Sequence, residues 1–429
     1  MRTIHRFTCG LLLSASLGLA QGSVQEPAQE TAQQSATDSL LTWPACVSLT
    51  LQHNPELDAS RYSVEASESS YQESRNGLSP QVALEQSYGT PTANRDPEWK
   101  TSGALNVKLW NKTEIGVIRT AKTLISQAQA NLQVTSSQLR FDLRKAFAQV
   151  LFAQKDIAAS RRILDMRQEE SQLVTLRYNS GRESKGNMLR ANAQLLQAKT
   201  NVTQSLRALR TAQKNLNRRM GLESFTAFRI DGELEAKAPP ELPQDERVLL
   251  DNRSDIRLQE DIVATNEAVL DQVKASNWPE LSAGYSQYLY GFNTLDYGWN
   301  ILLSYPLFGQ GLTRNRYVTS TAKSNLEKAR RNLRSARDQA VVDIETSWAE
   351  YAGAFDQAGV QRALLEAAIQ RNEEANIRYN SGLLTYDNWE IIVSDRIAQE
   401  REAIVALLNV VDAEAAWEKA LGGQLRADK

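Results

Sequence analysis

Five residues occur twice in this chain. Arg177-Tyr178-Asn179-Ser180-Gly181 returns 201 positions later as Arg378-Tyr379-Asn380-Ser381-Gly382. Asn-Ser-Gly is suited to a chain leaving a helix through the left-handed region. Each copy comes after a very long run with small and apolar residues at heptad spacing and precedes a shorter one. Other anchors keep nearly the same offset: Pro80 with Pro279, Leu109-Trp110 with Leu307-Phe308, and Leu216 to Gly221 with Trp417 to Gly422. Ordered anchors at one offset mean an internal duplication, and a duplication dictates the architecture more strongly than any single motif. The unit written twice is a long helical hairpin preceded by two short strands.

The long runs carry little that would interrupt a helix. Between Thr113 and Tyr178 there is no proline, and the one glycine, Gly116, lies in the first turn. At ~1.5 Å per residue such a run is a rod of about 100 Å. Leu132, Leu139, Ala146 and Ala153 fall on one line of it, with Leu143, Val150, Ile157 and Leu164 four residues behind. The return helix sets Leu195, Val202, Leu209 and Leu216 beside Ala191, Ala198, Ser205 and Ala212. The second long run uses Ala322, Ala329 and Ala336, then after a stagger Ile344, Tyr351, Ala358 and Leu365. Small residues in a seam let helices approach closely. The remaining faces are polar, as expected of a wall with water on both sides.

The strands have period-two patterning. Val82, Leu84 and Tyr88 share a face, as do Leu105, Val107 and Leu109; Tyr297, Trp299, Ile301, Leu303 and Tyr305 make the clearest case. An apolar band bordered by aromatic side chains is the outward face of a transmembrane strand, which makes Tyr297, Trp299 and Tyr305 candidates for a membrane girdle. A small soluble sheet with one buried face is the other reading. The expected strands cover about 80–89, 101–110, 279–290 and 296–307. Four strands cannot close a cylinder in a bilayer, where an open edge leaves backbone groups unpaired, so several copies would have to share one barrel.

Residues 1–20, with Arg2 and Arg6 ahead of an apolar stretch and Gly18 and Ala20 at its end, have the pattern of a cleaved export signal. A polar leader without periodicity, expected to be disordered, covers 21–40. The first repeat is read as 41–227, with its tip near 177–187. A Pro-rich connector covers 228–244, and the second repeat 245–422, with its tip near 378–388. A charged tail, 423–429, reads as loose. With 49 basic against 51 acidic residues, nothing favours a polyanion, so nucleic acid is not an expected partner. After the export signal there is one cysteine, Cys46, and one histidine, His53. Neither belongs to a cluster at metal-ligand spacing, and no phosphate loop or nucleophile elbow is present. No cofactor is expected, and an enzyme is the wrong class.

The export signal, Asn54-Pro55 at the first helix break, Pro80 and Pro279 at the strand starts and the doubled Arg-Tyr-Asn-x-Gly turns together resemble the TolC-like outer-membrane efflux protein family, from about residue 41 to 422. The resemblance implies a mainly α chain with a transmembrane β part. It further implies a homotrimer in which four strands per chain build a shared 12-stranded outer-membrane β-barrel over a trimeric α-helical barrel. Such a protein lies in the outer membrane of a Gram-negative bacterium, with a large periplasmic part. It is the exit duct of a tripartite efflux or type I secretion system, docked through a periplasmic membrane-fusion adaptor to an inner-membrane pump of RND or ABC type. Arg177, Tyr178, Asn179, Gly181, Arg378, Tyr379, Asn380 and Gly382 would then form the docking tip.

The resemblance also implies a charged constriction just past the second tip glycine, and there the chain departs from the pattern. Leu383, Leu384 and Thr385 stand where a basic residue is expected, and the acids, Asp387 and Glu390, are in a different register. The first tip carries Arg182, Glu183 and Lys185, with Asn187 where an acid would complete the link. Asp387, Glu390 and Asn187 are the candidate constriction residues. A ring of such acids would favour cations, although acids also suit a helix start through the macrodipole. The rival class is a periplasmic coiled-coil adaptor or spacer whose strands form a soluble domain.

Overall fold

The computed structural model of the chain describes residues 40–89, 98–223, 228–242, 246–290, 294–306 and 313–426. The export signal, nearly all of the leader, Leu307-Phe308 and the loops within 90–97 and 291–293 lie outside the described residues. In chain order the elements are β1 (Leu40–Leu41), α1 (Trp43–His53), α2 (Pro55–Arg75), β2 (Gln81–Gly89), β3 (Glu98–Asn111), α3 (Lys112–Asn179) and α4 (Lys185–Met220). Then come β4 (Arg229–Ile230), α5 (Ser254–Ala275), β5 (Glu280–Tyr290), β6 (Thr294–Ser304), α6 (Arg314–Asn380) and α7 (Tyr386–Ala420).

Local chemistry explains the helix starts. The Asn54 side chain accepts from the N–H groups of Glu56 and Leu57 while Pro55 sets the first turn of α2, and Asn111 does the same for Thr113 and Glu114 in α3. Each satisfies donors that a helix start leaves unpaired. At 68 residues, α3 spans about 100 Å. It packs against α4, α2, α5 and α7; α6 packs against α7 and α5. The helices therefore form one layer, ordered α4–α3–α7–α6 towards the tips and α2–α3–α5–α6 towards the strands.

The α3–α4 seam buries Ala191, Ala198, Ser205 and Ala212 at seven-residue intervals, and Ser205 shares a 3.1 Å hydrogen bond with Ser160 of α3. Leu139, Leu143, Val150 and Leu216 lie in the main core with Cys46, Val47 and Met220. Burial pushes the Cys46 thiol up to about 12, so at neutral pH it is a small hydrophobe.

Two helix pairs meet end to end. Met220 ends α4 where α2 begins: the Asn54 amide donates to the Arg219 carbonyl at 2.8 Å. Gly221, at φ 78°, has no room for a Cβ, which would lie 2.1 Å from the His53 carbonyl oxygen. The second repeat makes the same joint between α7 and α5, with Arg253 donating to the Ala420 carbonyl at 3.2 Å and Gly422 against Asn252. The two halves of the wall thus each contain one continuous long helix and one helix spliced from two pieces.

Two boundaries differ from the sequence reading. Leu40, assigned to the leader, already pairs with Arg229 in a short parallel ladder between β1 and β4. The tail is not loose as far as it is described: Leu425 is buried, and its N–H donates to Ser136 Oγ at 3.1 Å.

β2, β3, β5 and β6 form one antiparallel sheet in the order β2-β3-β5-β6. The register places Val82 opposite Leu105, Leu105 opposite Tyr285 and Tyr285 opposite Trp299. Directly opposed residues share a face, so this face is apolar and includes Leu84, Val107, Tyr297, Ile301 and Leu303. The other carries Gln81, Glu85, Asn106, Ser282, Ser286 and Asn300. The apolar face is uncovered: Val82 and Leu84 are each 80% exposed and Trp299 76%. A bulge between Lys108 and Trp110 removes Leu109 from the alternation and puts Trp110 in its place, and Tyr305 lies one residue past the end of β6. Among the described residues β2 and β6 each pair on one side only.

Candidate functional site

At the end of the rods remote from the sheet, the two copies of the repeated pentapeptide adopt one geometry. Gly181 and Gly382 have φ of 72° and 77°. The Arg182 N–H donates to the Arg177 carbonyl at 2.9 Å, and the Leu383 N–H to the Arg378 carbonyl at 2.9 Å. These bonds close the last turn of α3 and α6 and reverse the chain into α4 and α7. A Cβ at either glycine would meet nothing within 4 Å, so backbone conformation, not crowding, asks for glycine there.

The two tips are equal in backbone and unequal in side chains. Tyr379 is buried and stacked on Trp389, ring centroids 4.2 Å apart at 7°, with Tyr386 edge-on to both. Together with Val174, Ala191, Ala375 and Val393 they form a core at the tip. Arg177, from the first hairpin, reaches across to the second. Its Nη2 donates to the carbonyls of Tyr379 at 2.6 Å and Asn380 at 3.0 Å, and its guanidinium lies 4.1 Å from the Tyr379 ring centroid. A cation on the open carbonyls of a helix C-terminus satisfies acceptors that the helix cannot and opposes its dipole.

Glu183 completes the link from the other side. It accepts from Tyr379 Oη at 3.1 Å, from the Asn187 amide at 2.8 Å and from the Ser184 N–H at 3.1 Å. Burial alone would raise its carboxyl, but these donors and the Arg177 charge outweigh it and hold the group below the usual carboxylate range. Burial, with the Glu183 contact, pushes the Tyr379 phenol up, so it stays a donor. Asn187 therefore bonds within its own first turn. The acid facing the second hairpin is Glu183, which the sequence alone does not single out.

Of the two acids on α7, Asp387 keeps its carboxylate largely exposed, 3.4 Å from Arg190. Glu390 is buried between three helices. It accepts from Arg190 Nη2 at 3.0 Å and Ser394 Oγ at 2.6 Å and is bonded to the Gln194 amide. Arg167 of α3 lies 3.8 Å away and also pairs with Glu170. Burial raises the Glu170 carboxyl, and Arg167 opposes it. Tyr178, Asn179 and Arg378 sit at the turns themselves, at the last residues of α3 and α6, whereas Arg177 and Tyr379 each bond across to the other hairpin.

A duplicated helical hairpin clasped at its tips, with a four-stranded amphipathic sheet at the other end, is a fold that solved outer-membrane channels share. Residues 46–222 match the family described as Outer membrane efflux protein. Solved channels share the whole architecture. CusC superposes with a TM-score of 0.79 at 16% identity, covering 94% of this chain and 99% of its own. MtrE of Neisseria gonorrhoeae gives 0.76 at 18%, covering 90% of each, and VceC of Vibrio cholerae 0.75 at 16%, covering 89% of this chain and 96% of its own. No curated protein matches the chain by sequence.

Proposed function

We propose that this chain is the outer-membrane exit duct of a tripartite export system. In this reading three copies share one barrel, and cargo arrives from an inner-membrane pump of the RND or ABC type through a periplasmic adaptor docked at the helical tips. The observation that carries it is the sheet. Its apolar face is uncovered, and among the described residues its two edge strands each keep an unpaired side. Water penalises that arrangement, and lipid tolerates it only when the edges join. Four strands per copy give twelve from three copies, within the range of membrane barrels. The polar face then lines the lumen. The tips present Arg177, Tyr178, Asn179, Gly181, Arg378, Asn380 and Gly382 to an adaptor, whereas Tyr379, expected among the docking residues, is buried and serves instead the Arg177–Tyr379–Glu183 link that holds the periplasmic mouth closed.

The test is fractionation, then mass measurement in detergent. A duct sediments with outer membranes, resists alkaline extraction and runs at three times the mass of the processed chain. A soluble monomer released by alkali, as a coiled-coil adaptor or spacer would be, refutes the reading.

A further inference from the structure

The outermost helices of the layer carry unequal charge, and the inequality changes sign halfway along. α4 holds eight basic residues and no acidic one. It packs on α3 through the Ala191–Ala198–Ser205–Ala212 stripe, so Arg207, Arg210 and Arg218, exposed and half a turn away, point off the edge of the layer. At the opposite edge, the C-terminal part of α6 carries Glu345, Asp356, Glu366, Glu373 and Glu374, all exposed and without a partner among the described residues. Its N-terminal part is reversed: Arg314, Arg316, Lys323, Lys328, Arg331 and Arg334 are exposed and equally without partners among the described residues. The edge facing that part across the layer is α2, with Glu56, Glu65, Glu68 and Glu73 exposed.

The heights match as well as the signs. Gln194 and Ser394 both contact Arg167, and Arg371 pairs with Asp395, so Gln194 of α4 and Arg371 of α6 lie at one level. From there α4 climbs and α6 descends in numbering, which brings Arg210 level with Asp356 and Arg218 near Glu345. Towards the strands, Ser60 bonds Thr135 of α3, Thr265 of α5 bonds Gln127 of α3 and Glu267 of α5 pairs with Arg330 of α6. Those contacts bring Glu65 level with Arg334 and Glu73 with Lys328.

We infer that the partner of each edge is the opposite edge of a second copy of this chain. The basic α4 of one copy lies on the acidic part of α6 of the next, and its acidic α2 on the basic part of the same helix. The inference rests on the ring reading above and adds to it what sets the register. Because the sign reverses along the seam, a copy that slides or inverts brings like charges together, which is a specificity device of the kind charged coiled-coil edges use. Single exposed ion pairs contribute little, so the seam acts mainly on the speed and alignment of assembly.

The test refolds the full-length chain in detergent and tracks oligomer formation by native gel or light scattering. Salt should slow assembly, since the Debye length falls to ~3 Å at 1 M. Reversing one side, Arg207→Glu with Arg210→Glu and Arg218→Glu, should slow it by roughly tenfold or more. Adding Glu345→Lys and Asp356→Lys, the acids level with the reversed arginines, should restore the rate, and circular dichroism should show helical content unchanged throughout. Unaltered assembly after the first reversal, or no recovery after the second, overturns the seam. A wild-type chain that never leaves the monomer overturns the ring reading on which the seam depends, and is told apart from the other outcomes by the unmodified protein alone.

Discussion

Arg177→Ala tests whether the two hairpins are held together at the tip by the contacts described. The side chain gives up two charge-assisted bonds and one ring contact. Its bond to the buried Tyr379 carbonyl, at 2.6 Å, falls at the lower end of the ~1.5–3 kcal/mol typical of bonds to charged groups, because Arg177 is only half-buried. The second, to the exposed Asn380 carbonyl, is replaced by water at almost no cost. The guanidinium over the Tyr379 ring adds about 0.5–1 kcal/mol. A loss of about 2–2.5 kcal/mol shifts the balance between joined and parted hairpins by roughly thirty- to sixtyfold. In planar bilayers the variant should spend far more time in a high-conductance state than the wild type. Arg177→Lys should fall between, because one ammonium cannot span both carbonyls or stack as a plane. An Arg177→Ala channel with wild-type conductance and an unchanged melting curve would falsify the assignment of this link as the closure.

The same geometry sets further outcomes. Glu183 has its carboxyl depressed, so its contribution is complete above the ordinary carboxylate range and is lost as pH falls through the depressed value; Tyr379→Phe removes one donor and should move that acid opening of the channel, read as conductance against pH, to higher pH. Asp387→Asn, at an exposed carboxylate, should change stability by about 1 kcal/mol or less while reducing the cation preference measured in bilayers. Glu390→Ala leaves Arg167 with Glu170 and Ser394 and the half-exposed Arg190 with Asp387, but strips the Gln194 amide of its acceptor, and should cost about 1–3 kcal/mol, seen as a lower melting temperature. Gly221→Ala should be far more damaging than Gly181→Ala in thermal melts: both have positive φ, a strain of about 1–2 kcal/mol, but only Gly221 would also drive a Cβ into a carbonyl.

Much of the scaffold is legible in the sequence because it is periodic. The seven-residue stripe Ala191–Ala198–Ser205–Ala212 and the alternation Tyr297–Trp299–Ile301 report which face of an element is special. Periodicity does not say what lies opposite that face. That Asn54 meets the end of α4, or Arg253 the end of α7, depends on contacts 165 and 167 residues apart that no local pattern encodes. The bulge that displaces Leu109 is likewise a matter of pairing with β5. At the tip, the repeated pentapeptide marks the turns but hides their inequality. The signal for that inequality lies just past the second copy: Leu384, Tyr386 and Trp389 form an apolar aromatic group with no counterpart after Gly181. Those residues draw Tyr379 into a core and leave Tyr178 outside it. Glu183 is visible in the sequence as a charge near the first turn, but its bond to Tyr379 needs both hairpins in place.

The spliced joints have a mechanical consequence. Where α4 meets α2 and α7 meets α5, compressive force passes between butted helix ends through an amide, a guanidinium and close-packed glycines. There α3 and α6 run past without interruption. A shaft built half of unbroken beams and half of butted ones is stiff along its axis yet yields to torsion at the butts. Twisting at the tips can therefore be absorbed midway, sparing the sheet at the other end from turning with it.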